Sequence, residues 1–259
     1  MQRVLFHSTI FGPIHSRRLG TSLGINLTPN DGKICSFDCL YCEAGFNAQG
    51  PGTTGISPRA EVARELEAKL RAMKEAGERL DVITFSGNGE PTLHPDFEGV
   101  IDDTIALRDK YFPDVKISVL TNSTRLGNPG VHAALAKVDN NIMKLDSAIP
   151  ETVALLDRPA PGYDLERVIE RIGSFGGRGI VQTMLCRGEF EGREIDNTTD
   201  AEIDALIEAY RRINPGEIMI YTIDRPTPAT QLRRIPRPEL EAIGARIAEA
   251  TGIAVQVSG

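Results

Sequence analysis

No stretch of this 259-residue chain reaches the roughly 18 uncharged apolar residues that a membrane-spanning helix needs. The start, Met1-Gln-Arg-Val-Leu-Phe-His7, lacks the long apolar region and small-residue cleavage site of a secretory signal, so a cytoplasmic location is expected. Positive charge is in deficit, with 29 Lys and Arg against 36 Asp and Glu, a net −7. That balance argues against a broad nucleic-acid-binding surface, although local groups such as Arg17-Arg18 can still meet a phosphate. Low-complexity tracts, obvious short repeats and long linkers are absent. With 41% hydrophobic residues the chain can bury one substantial core, and a single domain over 1–259 is expected. Cysteine occurs only four times, too sparsely for a disulfide framework.

Those few cysteines are concentrated. Cys35, Cys39 and Cys42 lie within Cys35-Ser-Phe-Asp-Cys39-Leu-Tyr-Cys42, while Cys186 stands far along the chain. Three thiolates at this spacing can hold three irons of a [4Fe–4S] cluster and leave the fourth iron open, whereas electron-carrying clusters are usually closed by four cysteines. Other chemistries compete. A structural zinc site needs a fourth ligand and usually a second Cys-x-x-Cys knuckle. A thioredoxin-like dithiol at Cys39 and Cys42 would leave Cys35 idle, and residues 43–52 that follow are loop chemistry without a helical pattern.

Short β-branched or apolar runs at 23–27, 81–86, 115–121, 142–146, 180–185, 217–223 and 253–257 alternate with amphipathic helical stretches at 58–76, 95–111, 129–138, 165–175, 199–213 and 238–251. Ser57 is placed to cap the first helix, and Thr199 or Asp200 the fifth. Strict alternation predicts parallel strands with right-handed crossovers and helices outside. The first ~55 residues read largely as loop, so about six βα units remain, and the expected fold is a partial (βα)6 TIM-like barrel. In such folds ligands gather at the carboxyl ends of the strands, and the cysteines follow the first strand at that end.

The other strand ends carry polar and glycine-rich turns. Ser86-Gly87-Asn88-Gly89-Glu90-Pro91 follows the second strand, where two glycines let the backbone bend and expose carbonyls to a cationic group. Leu120-Thr121-Asn122-Ser123 ends the third and Lys144-Leu145-Asp146-Ser147 the fourth. An asparagine ending a strand by turn formation, and a carboxylate salt-bridged to Arg158 or Arg187, are the plain structural readings of Asn122 and Asp146.

The cysteine spacing, with an aromatic before its last cysteine, together with Gly89-Glu90-Pro91, resembles the radical S-adenosylmethionine (radical SAM) superfamily; the resemblance covers about 11–228. Asn88 stands where many members have the first glycine of a Gly-Gly-Glu-Pro segment, Ser123 where they have the glycine of Thr-Asn-Gly, and Lys144 where they have a serine. Within the superfamily the chain is similar to a little-characterised subgroup, itself distantly similar to wyosine-type tRNA-modifying enzymes.

The resemblance implies that Cys35, Cys39 and Cys42 ligate a [4Fe–4S] cluster whose open iron is chelated by SAM. It implies that Gly87, Gly89 and Glu90 meet the amino group of SAM, that Thr121 and Asn122 meet its ribose or carboxylate, and that Asp146 or Ser147 meets the ribose hydroxyls. Tyr41 and Met184 are then candidates to pack against adenine, with shielding of the cluster the alternative for Tyr41 and ordinary core packing the alternative for Met184. The implied activity is reductive cleavage of SAM to a 5′-deoxyadenosyl radical that abstracts a hydrogen atom from a substrate. A low-potential donor such as flavodoxin or ferredoxin is implied as partner, since the chain offers no second cysteine cluster. Cys186, at the end of the fifth strand, is a candidate hydrogen-atom donor or a small buried hydrophobe. Arg17, Arg18 and Arg225 favour an anionic substrate, a phosphorylated small molecule before an RNA nucleotide, with salt bridges to Asp224 or Asp31 as the structural alternative. The reading from a different class is a non-catalytic iron–sulfur or zinc protein of assembly or sensing.

Overall fold

The computed structural model describes residues 3–16 and 19–259. Seven parallel strands form its centre: β2 (Gly20–Ile25), β3 (Val82–Phe85), β4 (Lys116–Thr121), β5 (Asn140–Lys144), β6 (Ile180–Phe190), β8 (Glu217–Thr222) and β10 (Val255–Ser258). They are hydrogen-bonded in that order, with β1 (Ile10–Ser16) antiparallel outside β2. Along this order β1 and β10 end the sheet, which is therefore unclosed. Helices α1 (Arg59–Glu75), α2 (Phe97–Tyr111), α3 (Pro129–Lys137), α4 (Pro150–Leu156), α5 (Leu165–Gly173), α6 (Asp200–Ile213) and α7 (Arg237–Thr251) fill the crossovers. This is the partial barrel of six βα units that the alternation predicts.

The strand residues alternate as a two-sided sheet requires. Leu23, Ile83 and Ile117 align across β2–β4 and join the helix-facing core, while their neighbours Ser22 and Thr84 meet on the other face through a 2.8 Å hydroxyl contact. Helix α5 shows how a crossover is held. It buries Leu165, Val168, Ile169 and Ile172, one stripe at helical spacing, and each such side chain stabilises the fold by about 1.5–3 kcal/mol. Asp164 caps it by accepting from the Arg167 amide. Thr199 caps α6 as expected, accepting from the Glu202 amide.

Four details of the elements differ from the expectations. The described part of the first 55 residues is largely loop, as expected, but it also holds β1, paired with β2 in a hairpin; a Gly12-Pro13 interruption with a register shift hides it from an alternation count. Pro58, not Ser57, precedes α1 without a side-chain cap, and Ser57 is spent on contacts to Thr9 and His94. Strand β6 does not stop at Leu185 but runs on to Phe190, pairing with β7 (Arg193–Asp196) and β9 (Arg233–Arg234). The seven-residue α4 is too short to show a periodicity.

Candidate active site

The cysteine loop crosses the carboxyl ends of the strands and is tied down on two sides. On one side Asp38 N donates to Asp157 O (3.0 Å) and Leu40 N to Leu156 O (2.9 Å), hanging the loop from the end of α4. On the other, Glu90 N donates to Ile34 O (3.0 Å), so the Gly87–Pro91 turn after β3 forms a parallel bridge with the residue before Cys35. Only glycine fits there: a Cβ on Gly89 would lie 1.8 Å from Ile34 O, and one on Gly87 would lie 2.2 Å from Asn26 Oδ1.

Cys35 and Cys42 are partly exposed, Cys39 is buried, and none is in a disulfide. Burial, then the charge of Glu90, pushes the Cys35 thiol up to about 12. Burial, and behind it the charge of Asp157, pushes the Cys39 thiol well above its ordinary value against the pull of Lys144. Thiols so held deprotonate when a metal takes them, since metal charge inverts the local balance. Lys33, buried, donates from Nζ to Gly45 O at 2.8 Å and lies 3.5 Å from Asp38. Burial pulls its ammonium down, but the charges of Cys42, Cys35 and Cys39 outweigh that and hold it above its ordinary value. Among the described residues no three His, Cys, Asp or Glu side chains gather around one point as a single-ion site requires. A cluster spreads its thiolates over separate irons, and three unpaired thiols on a pinned loop fit that demand.

The residues at the neighbouring strand ends are hydrogen-bonded to one another and to the cysteine loop. Glu90, 2% exposed, accepts from Thr92 N (3.1 Å) and Oγ1 (2.6 Å), Thr121 Oγ1 (2.7 Å) and Asn122 N (2.7 Å). Burial raises its carboxyl, and these donors pull it back only in part. Asn122 reaches the cysteine loop itself, donating from Nδ2 to Ser36 Oγ (2.9 Å) and Cys35 Sγ (3.5 Å). Asn88 turns its side chain away, to Phe6 and Pro29, so its replacement of a glycine does not crowd the turn. Ser123 takes the left-handed conformation (φ 69°) for which glycine is suited. Ser147 is bound to Glu202 of α6 and to Ile149, away from the cysteines.

Asp146 pairs with neither Arg158 nor Arg187. Its carboxylate contacts Lys144 Nζ and the Tyr41 hydroxyl and accepts from Met184 N at 2.9 Å. Arg187 is engaged by Asp196 and Glu239, and Arg158 by Asp38 at 3.1 Å. Lys144 also lies 2.7 Å from Asp157. Burial opposes its charge, but Asp146 and Asp157 together hold the ammonium well above its ordinary value.

A cleft lined by Tyr41, Glu43, Met184, Tyr221, Asp224, Arg225 and their neighbours opens beside the loop. Tyr41 and Met184 are thus brought together with Arg225, whose guanidinium pairs with Glu43 at 2.7 Å. Arg17 and Arg18 lie outside the described residues. Cys186 is fully buried among Leu40, Leu156, Met184 and Leu232, with Arg234 of β9 as its ladder partner, so its thiol has no opening to the cleft. Sequence reasoning passed over Lys33, Asp157 and the placement of the Arg158 guanidinium over the rings of Phe46 and Phe190. A lysine two residues before the first cysteine was the one local signal available.

Comparison with known proteins agrees with this geometry. The family model of the radical SAM superfamily matches residues 30–192, and the chain belongs to that superfamily of enzymes, which use a [4Fe–4S] cluster and SAM. Among curated relatives, a UPF0026 protein of Synechocystis is 30% identical, with 95% of each chain covered. A protein of Brachyspira hyodysenteriae named GTPase Obg is 28% identical over 90% of this chain, which spans only 32% of that protein. The fold matches a radical SAM methyltransferase from Sphaerobacter thermophilus (TM-score 0.63, 18% identity, 92% of this chain and 65% of the other). It also matches SuiB of Streptococcus suis bound to S-adenosylmethionine (TM-score 0.63, 16% identity, 91% and 50%).

Proposed function

We propose that this chain is a SAM-cleaving enzyme acting on a small anionic substrate, supplied with electrons by a low-potential flavodoxin-like or ferredoxin-like donor in the cytoplasm. The observation that carries the reading is the bridge between Ile34 and Gly89, which fastens the three-cysteine loop and the Gly87–Pro91 turn into one unit at adjacent strand ends. Cys35, Cys39 and Cys42 would hold the cluster. When bound, cluster and SAM together supply a 5′-deoxyadenosyl radical able to take a hydrogen atom from the substrate.

The chain's own residues supply placement. The carbonyls of the Gly87–Gly89 turn offer acceptors for the amine of SAM, and Tyr41 with Met184 gives the cleft an apolar wall suited to adenine. Glu90, Thr121 and Asn122, hydrogen-bonded to one another and to Cys35, hold the turn, the end of β4 and the first cysteine in register. Arg225, at the rim, is the described guanidinium best placed to meet a phosphate or carboxylate on exchange from Glu43. The similarity to wyosine-type enzymes would make the substrate a nucleotide within RNA, and the net charge ranks a small phosphorylated molecule above it.

The test is anaerobic loading with iron and sulfide, then dithionite and SAM without substrate. Slow release of 5′-deoxyadenosine, and a change in the cluster's spectrum on adding SAM, are expected. A loaded, SAM-binding protein that releases none would refute the catalytic reading.

A further inference from the structure

Lys144 ends β5 in the middle of the parallel sheet, its side chain only 15% exposed. A buried ammonium loses hydration and must be compensated by its surroundings. Asp157 Oδ1, at the end of α4, lies 2.7 Å from Nζ, and Asp146 and the Tyr41 hydroxyl contact it as well. Two rings complete the enclosure, with Nζ 4.8 Å from the centroid of Tyr41 and 5.8 Å from that of Phe37.

Both rings belong to the cysteine loop. Phe37 lies between Cys35 and Cys39, and Tyr41 between Cys39 and Cys42, so the cation grips the loop on either side of its buried cysteine. The same Asp157 whose carboxylate holds Lys144 gives its carbonyl to the Asp38 amide, joining the ion pair to the loop backbone. Lys33 offers a second buried cation, directed at Gly45 and Asp38 on the loop's other arm.

We infer that Lys144 is a positioning residue: its charge seats the cysteine loop through Phe37 and Tyr41, and biases the cluster that the loop carries toward its reduced form. The second half rests on the proposed cluster; the first does not. A cluster gains negative charge on reduction, and net charge around a cluster is one of the factors that set its potential, so a fixed ammonium nearby favours the reduced state.

The test compares full-length wild type, Lys144→Arg, Lys144→Gln and the double variant Lys144→Gln with Asp157→Asn. The double variant removes one carboxylate with the ammonium, in case the single neutral change leaves two buried acids uncompensated and prevents folding. In the iron-free proteins, iodoacetamide labelling of each cysteine is followed by mass spectrometry. Cys39 should react about tenfold faster in the neutral variants than in wild type or Lys144→Arg, as expected for a locally loosened segment. After loading with iron and sulfide, a redox titration should place Lys144→Gln at a more negative midpoint potential than wild type, with Lys144→Arg near wild type and the double variant, which loses a positive and a negative charge together, also near wild type. Equal Cys39 protection and equal potentials in all four proteins would overturn the inference while leaving the cluster in place. A wild type that takes up no iron would instead overturn the cluster reading, and the labelling would still decide whether Lys144 seats the loop.

Discussion

At the scale of single residues, the cysteines divide three to one. Cys35, Cys39 and Cys42 share a loop pinned by backbone bonds, whereas Cys186 is sealed in an apolar cluster behind Met184. Replacing any of the first three by alanine should abolish most iron uptake, and Cys186→Ala should keep it, as read by elemental analysis. Ser123 offers a check on backbone strain. Its φ of 69° costs an L-residue about 1 kcal/mol that glycine avoids, so Ser123→Gly should hold or raise the melting temperature. Asp31 gives a pH signature. Its carboxylate accepts from the Thr53 hydroxyl and amide and from Thr54, which holds its carboxyl well below the ordinary value near 3.8. A depressed carboxyl stabilises the fold above the unfolded value and loses that stabilisation as pH falls toward the folded one. Melting temperature should therefore fall less steeply between about pH 5 and about pH 3 in Asp31→Asn than in wild type. The cysteines, the glycine turn and the polar strand ends were legible in the sequence because spacing and turn chemistry are local. What Glu90, Asp146 and Ser147 do was not, since each has partners 31 to 105 residues away.

At the scale of elements, period and length explain what was read and what was missed. The seven parallel strands and six of the helices carry clear apolar patterns and were found within a few residues. The extension of β6 past Cys186 was hidden because Arg187-Gly188-Glu189 looks like the start of a loop, yet it pairs with β7 into a hairpin reaching the cysteine side of the molecule. There Phe190, near the hairpin tip, meets Phe46 (centroids 6.0 Å apart), and the Arg158 guanidinium lies 5.6 and 5.0 Å from the two rings while pairing with Asp38. Arg158 thus clasps the hairpin to the cysteine loop, and does so from a left-handed backbone (φ 49°). Removing it should speed amide exchange across 187–196, measured by mass spectrometry, at a cost of about 1 kcal/mol in stability. Arg158→Gly should be less destabilised than Arg158→Ala by about 1 kcal/mol, because glycine relieves the backbone while losing the same clasp.

At the scale of the whole molecule, the question is what an acid-rich protein admits to an open barrel. The net charge of −7 spreads over the surface, and many arginines are already spent on neighbours, as Arg59 is on Asp96 and Asp103 and Arg246 on Asp200 and Asp204. At physiological salt a field is screened beyond about 8 Å, so a small anion in the cleft feels chiefly Arg225 and its immediate neighbours. A transfer RNA spans many such lengths and meets the repulsive surface as well. Non-specific RNA binding draws its free energy from phosphates neutralised by lysine and arginine, and in this chain 36 acidic residues outnumber the 29 basic ones. Bulk transfer RNA should therefore bind more weakly than about 10⁻⁴ M at 0.15 M salt in a mobility-shift titration, and should leave the rate of 5′-deoxyadenosine release unchanged. Binding in the micromolar range at that salt, or release stimulated by RNA, would place an RNA nucleotide ahead of the small phosphorylated substrate, because it would show a local basic track strong enough to overcome the field of the whole.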